Sequence, residues 1–211
     1  GSTKAGTRAA KSHTAAMTGT DNIYQAAFKQ AGIIQVQSIT ELVDVAGALQ
    51  CQPLPKGRRV AILTGGGGLG VVAADTCERL NLEVAPLLPQ TIERLDSLLP
   101  GIWSHGNPVD TVGTLNSVFS CLEVLLEDKN IDSVLALNAP IYRVRTNIWG
   151  SLGDIEKAEG EVDPHSLELI DRMRDEYQKP IIVCNMGLSI EQAVQRGVQI
   201  HTSVDRAAKV L

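Results

Sequence analysis

The sequence predicts an α/β fold, a parallel sheet with helices on both faces, and three observations carry that prediction. Short apolar runs at residues 59–63, 82–87, 133–137 and 181–185 alternate along the chain with segments of helical period. The runs are mostly continuous in apolar character rather than alternating, as strands covered on both faces require. Between the first run and the helix that follows it lies Thr64-Gly-Gly-Gly-Gly-Leu-Gly70, a glycine turn at a strand-to-helix junction. With 44% hydrophobic and 20% charged residues in 211, the chain has enough apolar surface for a core.

Taken in order, the elements read as follows. Residues 5–19, small and flanked by glycines, read as a mobile loop. Thr20 or Asp21 caps a helix to about Gln30, which Gly32 ends. Residues 33–36 read as a short strand. Ser38 or Thr40 caps a second helix in which Leu42, Val45, Ala46 and Leu49 share a face. Gln52-Pro-Leu-Pro-Lys-Gly57 is a linker by its prolines and glycine. After it come a strand at 59–63, the glycine turn and a helix to about Leu80, a strand at 82–87, and a helix at 91–99 with Ile92, Leu95 and Leu99 together. A longer helix carries Leu115, Val118, Phe119, Leu122, Leu125 and Leu126. A strand at 133–137, a helix at 166–177, a strand at 181–185, a helix at 191–196, a strand at 199–201 and a helix at 205–211 complete the pattern. The first fifty or so residues supply one strand and two helices, too few for a core of their own. The expected division is therefore residues 1–52, completing a sheet made elsewhere, and residues 53–211, a full α/β domain.

Composition excludes several classes. A net charge of −5 and 3% aromatic residues leave no basic, ring-bearing platform for nucleic acid. The longest uncharged apolar stretch, residues 60–74, is broken by glycines and falls short of the about 20 residues that span a bilayer. Residues 1–11 are small, polar and basic, without the apolar centre of a signal peptide. Cys51, Cys77, Cys121 and Cys184 are widely spaced and read as buried free thiols of a cytoplasmic protein. No histidine or cysteine pair has metal-ligand spacing, so no metal is expected.

Two segments point to chemistry. Gly65, Gly67 and Gly70 satisfy a G-x-G-x-x-G spacing between strand and helix, where backbone N–H groups and the positive end of a helix dipole can receive a phosphoryl group. The dinucleotide form needs an acid at the end of the next strand, and the run Leu82-Glu-Val-Ala-Pro-Leu-Leu-Pro89 ends without one. A Walker loop needs Lys and Ser/Thr where Val71 and Val72 stand. The turn therefore suits a phosphate without the fittings of either nucleotide motif, the alternative being a simple tight turn. The second segment is His13, in a run with Lys4, Arg8 and Lys11 and no acid before Asp21. Imidazole is nucleophilic near neutral pH and can carry a phosphoryl group. On chemistry alone, a lone histidine in such a run reads as solvated surface.

A resemblance joins the two. The run Lys4-Ala-Gly-Thr-Arg-Ala-Ala-Lys-Ser-His-Thr-Ala-Ala-Met-Thr-Gly-Thr-Asp21 resembles the phosphohistidine segment of the NDP-forming acyl-CoA synthetases, relatives of succinyl-CoA synthetase. The similarity continues through residues 59–71, Ala73-Ala-Asp75 and Asn107-Pro-Val-Asp110, in the family's order. It departs where Thr14-Ala-Ala-Met-Thr-Gly19 replaces the family's usual Thr-Gly-Ala-Leu-Ala-Gly, and where Gly65 and Leu69 replace its usual Asn and Pro. The resemblance implies two flavodoxin-like units: the C-terminal part of one in residues 1–52, and a ligase-CoA domain in residues 53–211. It implies that ATP phosphorylates His13, that the phosphoryl group passes to a carboxylate, and that coenzyme A displaces phosphate from the acyl phosphate. Gly65, Gly66, Gly67, Gly68, Leu69 and Gly70 then hold the phosphoryl group, and Asn107 and Asp110 belong to a structural loop. The chain alone is expected to bind no cofactor and to be inactive. ATP or ADP with magnesium, and coenzyme A, belong to the complete enzyme, with a CoA-binding Rossmann domain, an ATP-grasp domain or subunit and an oligomeric assembly as expected partners. The competing reading is a non-catalytic regulatory module of the same fold, such as those fused to protein acetyltransferases.

Overall fold

The computed structural model describes residues 3–14, 21–139, 142–143, 161–185 and 200–211. The chain forms two compact units, residues 1–42 and 43–211, dividing upstream of the proline-bearing linker.

The first unit opens with α1 (Lys4–Thr14), where a mobile loop was expected. Alanines and long basic residues favour helix, and Thr3 starts it by accepting the Gly6 N–H at 3.1 Å. His13 is the penultimate residue of this helix. Next is α2 (Asp21–Ala31), stopped by Gly32 at φ +67°. The Ile33 N–H returns to the Phe28 carbonyl at 2.8 Å, closing the last turn as a left-handed glycine cap does. The strand expected at 33–36 is not formed; Ile33 and Ile34 are exposed and pair with no described strand. A strand is stable only with a neighbour on its ladder.

The next helix, α3 (Ile39–Cys51), crosses the unit boundary. Ser38 accepts the Glu41 N–H, and Glu41 reaches back to accept the Gln37 N–H, a reciprocal arrangement close to a capping box. The expected apolar face is not the buried one. Leu42 and Leu49 are half exposed, whereas Asp44 and Ala48, one turn apart, are buried. Helical period finds the apolar stripe, but here a bidentate ion pair decides which side faces the core. Asp44 accepts two hydrogen bonds from Arg206 at 2.8 and 2.7 Å.

The second unit is a parallel sheet. Its strands are β1 (Arg59–Thr64), β2 (Glu83–Val84), β3 (Val109–Asp110), β4 (Ser133–Leu137), β7 (Ile181–Cys184) and β8 (Ile200–His201). The order is β2-β1-β4-β7-β8, with β3 also pairing β1. A separate antiparallel pair joins β5 (Tyr142–Arg143) to β6 (Glu161–Val162). The helices are α4 (Gly67–Arg79), α5 (Pro89–Leu98), α6 (Val118–Glu127), preceded by a 3-10 turn at Leu115–Ser117, α7 (Pro164–Tyr177) and α8 (Val204–Lys209). The helix expected at 191–196 lies outside the described residues.

Period-two alternation sorts the strand residues onto two cores. Ala61, Leu63, Val134, Ala136, Ile181 and Val183 pack with residues of α5, α6 and α7. Val60, Ile62, Leu135, Leu137, Ile182 and Cys184 pack with residues of α4 and α8. Both faces are apolar because both are covered, which is why the strands read as continuous runs. Cys77, Cys121 and Cys184 are buried thiols, and burial pushes each up to about 11, so they act as small apolar side chains.

One buried group is left charge-sensitive. His201 is 1% exposed, and neither ring nitrogen has a hydrogen-bond partner among the described residues. Its Nδ1 lies 3.8 Å from Asp44, whose charge Arg206 already engages. Burial lowers the imidazole from its ordinary 6.5 to about 4, with Asp44 opposing and Arg206 adding to the shift. The folded state therefore holds His201 neutral while the unfolded chain takes up a proton near pH 6.5. Stability present above pH 6.5 is lost as pH falls toward 4, by about 2 kcal/mol at pH 5. Urea unfolding at pH 7.5 and 5.0 should show that loss in the native protein and a loss about 2 kcal/mol smaller in His201→Leu. Equal losses in both proteins exclude His201 as its source.

Candidate functional site

The glycine turn joins β1 to α4. Thr64 ends the strand and turns back on the loop, its Oγ1 accepting the Gly66 N–H at 3.2 Å and lying 3.0 Å from the Gly66 carbonyl. Gly66 is the N-cap residue of α4, in extended backbone, with no side chain capping the helix. The first closing bond is Gly70 N–H to Gly66 C=O at 3.4 Å. The N–H groups of Gly67, Gly68 and Leu69 consequently have no partner among the described residues, as the first turn of any helix requires unless a ligand or side chain supplies one. A Cβ added at Gly65, Gly66 or Gly68 meets nothing within 4 Å. These glycines border open space, so their lack of side chains keeps the helix N-terminus accessible.

The other glycines are glycine for packing. A Cβ at Gly70 lies 3.2 Å from Pro108 Cβ and 3.2 Å from Thr64 Cγ2, and one at Gly67 lies 3.2 Å from Asp110 Oδ2. The 107–110 loop thus packs directly against the glycine turn, and Gly67 and Asp110, distant in sequence, come together. Asp110 Oδ1 accepts the Val112 N–H at 2.9 Å. A carboxylate beside a helix N-terminus is favoured by the dipole, and it places a negative charge at the edge of the glycine turn.

Asn107 and Asp110 divide the labour. Asn107 Oδ1 accepts the Ile62 N–H at 2.9 Å, and its Nδ2 donates to the carbonyls of Val60 and Ala85 at 2.8 and 2.9 Å. On this side of β1, β2 pairs only with Arg59 and Val60, and β3 only with Leu63 and Thr64. The Asn107 amide occupies the gap and continues the ladder with side-chain atoms. Strand β3, formed by the motif itself, was not anticipated from sequence.

A cavity of about 410 Å³ opens beside the turn. Its wall on α4 is Gly67, Gly70, Val71, Ala74 and Asp75, facing Ile102, Trp103, Pro108 and Val112. Trp103 is buried and anchored by its indole N–H, which donates to Asp96 at 2.8 Å. Asp96 Oδ1 also contacts His105 Nδ1 at 2.7 Å, and the Trp103 and His105 rings lie 5.0 Å apart. Trp103 and Val71 were not singled out as site residues from sequence. The available signal was the helical spacing of residues 67, 70, 71 and 74, which puts them on one face behind the turn. His13 belongs to the other compact unit.

A family model described as a succinyl-CoA ligase like flavodoxin domain matches residues 1–49. The alpha subunit of ADP-forming acetate–CoA ligase II from Pyrococcus furiosus is 42% identical over 139 residues, covering 65% of this chain and 30% of the relative. The alpha subunit of ligase I from the same organism is 30% identical over 219 residues, covering all of this chain and 44% of the relative. Acetyl-coenzyme A synthetase 1 of Ca. Korarchaeum cryptofilum, solved with phosphate and ADP, superposes with a TM-score of 0.77 at 25% identity over the whole chain and 44% of its own. The chain thus spans between 30% and 44% of the length of these relatives. With its parallel flavodoxin-like sheet, its glycine turn and relatives that are repeatedly ADP-forming acetate–CoA ligases, the chain belongs to the NDP-forming acyl-CoA synthetase family.

Proposed function

We propose that the chain is part of an ADP-forming acyl-CoA synthetase, with His13 as its phosphoryl carrier and the turn at residues 65–70 as a receptor for the transferred phosphoryl group. In this reading His13 attacks the γ-phosphorus of ATP and ADP leaves. A carboxylate oxygen then takes the phosphoryl group from His13, giving an acyl phosphate and free imidazole. The thiolate of coenzyme A attacks the acyl carbon and inorganic phosphate leaves. The observation that carries the reading is the open first turn of α4, whose Gly67, Gly68 and Leu69 N–H groups are free to bind an anion in the family's own glycine motif. The ATP site, the CoA site and the acyl substrate belong to the complete enzyme, with a CoA-binding Rossmann domain and an ATP-grasp domain as partners.

The first unit is, in the same reading, the C-terminal part of a flavodoxin-like domain ending near the linker at residue 52. The exposed apolar side chains of Ile23, Ile33, Ile34 and Ile39 support this, since large apolar side chains in such number are normally covered in a complete domain.

Gly68→Asp tests the receptor role. The carboxylate falls in the first turn of α4, into open space, and replaces glycine in a helix, so thermal stability should be unchanged or rise by up to about 1 kcal/mol. The same charge repels a phosphoryl group, and acyl-CoA formation by the complete enzyme should fall by about a hundredfold, roughly the cost of one lost anion-binding donor. Retained activity in a folded Gly68→Asp protein removes the turn from the mechanism.

A further inference from the structure

We propose that residues 43–51 of α3 act as an acid-released latch: Arg206 of α8 clamps them to the second unit through Asp44, and protonation of His201 beside the clamp lets them go. The clamp matters because the segment has little else to hold it. Along α3 only Asp44 and Ala48 are buried, while Leu42, Val43 and Leu49 are more than half exposed. One alanine methyl gives little apolar burial. The hold therefore rests on the two hydrogen bonds from the Arg206 guanidinium to the Asp44 carboxylate, at 2.8 and 2.7 Å. Thr202 Oγ1 steadies Arg206 by accepting from its Nη1 at 3.3 Å. Just past the helix, Gln52 Oε1 accepts the Ile181 N–H at 3.0 Å, a single neutral bond. A segment fastened by so few groups can open without the rest of the fold.

His201 makes the latch sensitive to acid. It is buried on β8, and neither ring nitrogen has a hydrogen-bond partner among the described residues. The titratable or charged groups around it there are Asp44 from α3, Arg206 from α8 and Cys184, its register partner on β7. Burial keeps the Cys184 thiol protonated, pushed up to about 11. The Arg206 hydrogen bonds hold the Asp44 carboxyl below its ordinary 3.8, so it stays ionised at pH 5 and is not the sensor. Asp44 lies 3.8 Å from Nδ1, but Arg206 engages both of its oxygens. A proton taken up by the covered ring would therefore sit near the Arg206 guanidinium, with an Nε2–H that has no acceptor. Once residues 43–51 lift away, water reaches the ring and solvates the imidazolium. Burial holds the covered ring at about 4, whereas the hydrated ring takes its proton at the ordinary 6.5. Acid favours the form that binds the proton more tightly, which is the released one. Its population relative to the latched form rises about thirtyfold between pH 7.5 and pH 5.

The latch stands apart from the phosphoryl-transfer reading, since it involves neither His13 nor the glycine turn. Hydrogen exchange on the full chain at pH 7.5 and 5.0, corrected for the intrinsic chemistry of exchange, tests it. Amides of residues 45–51 should be at least about a hundredfold less protected than those of β4 at both pH values, which marks their opening as local. Their protection should fall about thirtyfold on going to pH 5.0. In His201→Leu, which keeps an apolar side chain in a buried place, that fall should shrink to less than about threefold. Arg206→Gln changes a partly exposed side chain on α8 and leaves the core alone. It should lower the protection of residues 45–51 at least about tenfold at pH 7.5, with β4 still the far better protected. Equal protection of residues 45–51 and β4, an acid response that survives in His201→Leu, or a segment indifferent to Arg206→Gln each overturns the proposal.

Discussion

His13→Ala is expected to abolish both labelling and ligation in the complete enzyme. If His13 carries the phosphoryl group, the variant has no nucleophile to attack ATP, and no alternative route bypasses a covalent intermediate. Incubation with γ-labelled ATP and magnesium, without coenzyme A, should give acid-labile, base-stable label on the native protein and none on the variant. Acyl-CoA formation should drop by at least a thousandfold. The substitution puts alanine near the end of a helix, so its thermal unfolding should match the native protein's. Label surviving in His13→Ala moves the carrier elsewhere. Absence of label from both proteins, with the ATP-grasp partner folded and binding ATP, favours the regulatory-module reading.

The largest stability effect is expected at Asn107. Alanine there strands the Ile62 N–H and the Ala85 carbonyl and weakens the satisfaction of Val60. Losing three bonds from partly buried backbone should cost about 3 kcal/mol, lowering Tm by roughly 6–12 °C for a domain of this size. Asn107→Asp is the sharper test. Its shape is the same, and one oxygen can still accept the Ile62 N–H. The other faces two carbonyl oxygens where Nδ2 donated, so the aspartate should be at least as destabilising as the alanine. Calorimetry on both variants decides it. An Asn107→Asp protein as stable as the native one shows that the amide does not complete the β1 ladder. The same loop seats Pro108 against Gly70 and Asp110 against Gly67, so loosening it should also disturb the turn.

Much of this molecule was legible from its sequence. Local rules suffice where the relevant neighbour lies within a few residues. The strands β1, β4 and β7 were evident as apolar runs, because burial on both faces leaves no alternation to obscure them. The glycine turn was evident because φ/ψ freedom is a property of consecutive residues. The helix stop at Gly32 and the Ser38 cap are equally local.

What the sequence did not disclose depends on partners far along the chain. Residues 33–36 have strand-like side chains but no described strand beside them. Helix α3 buries Asp44 rather than its apolar stripe because Arg206, 162 positions away, supplies two hydrogen bonds. Asn107 was recognisable as part of a motif, yet its task appears only when β2 and β3 are seen to leave a gap on the same side of β1. The cavity joins one face of α4 to Ile102 and Trp103, and no spacing rule links those segments. Composition, periodicity and motif determined that this is an α/β chain with a glycine turn at a strand-to-helix junction. Tertiary structure alone decided which polar groups the sheet borrows, which helix face is buried and what shape lies beside the turn. The reason is that hydrogen bonding and packing act over ångströms in space, whereas sequence patterns record only neighbours along the chain.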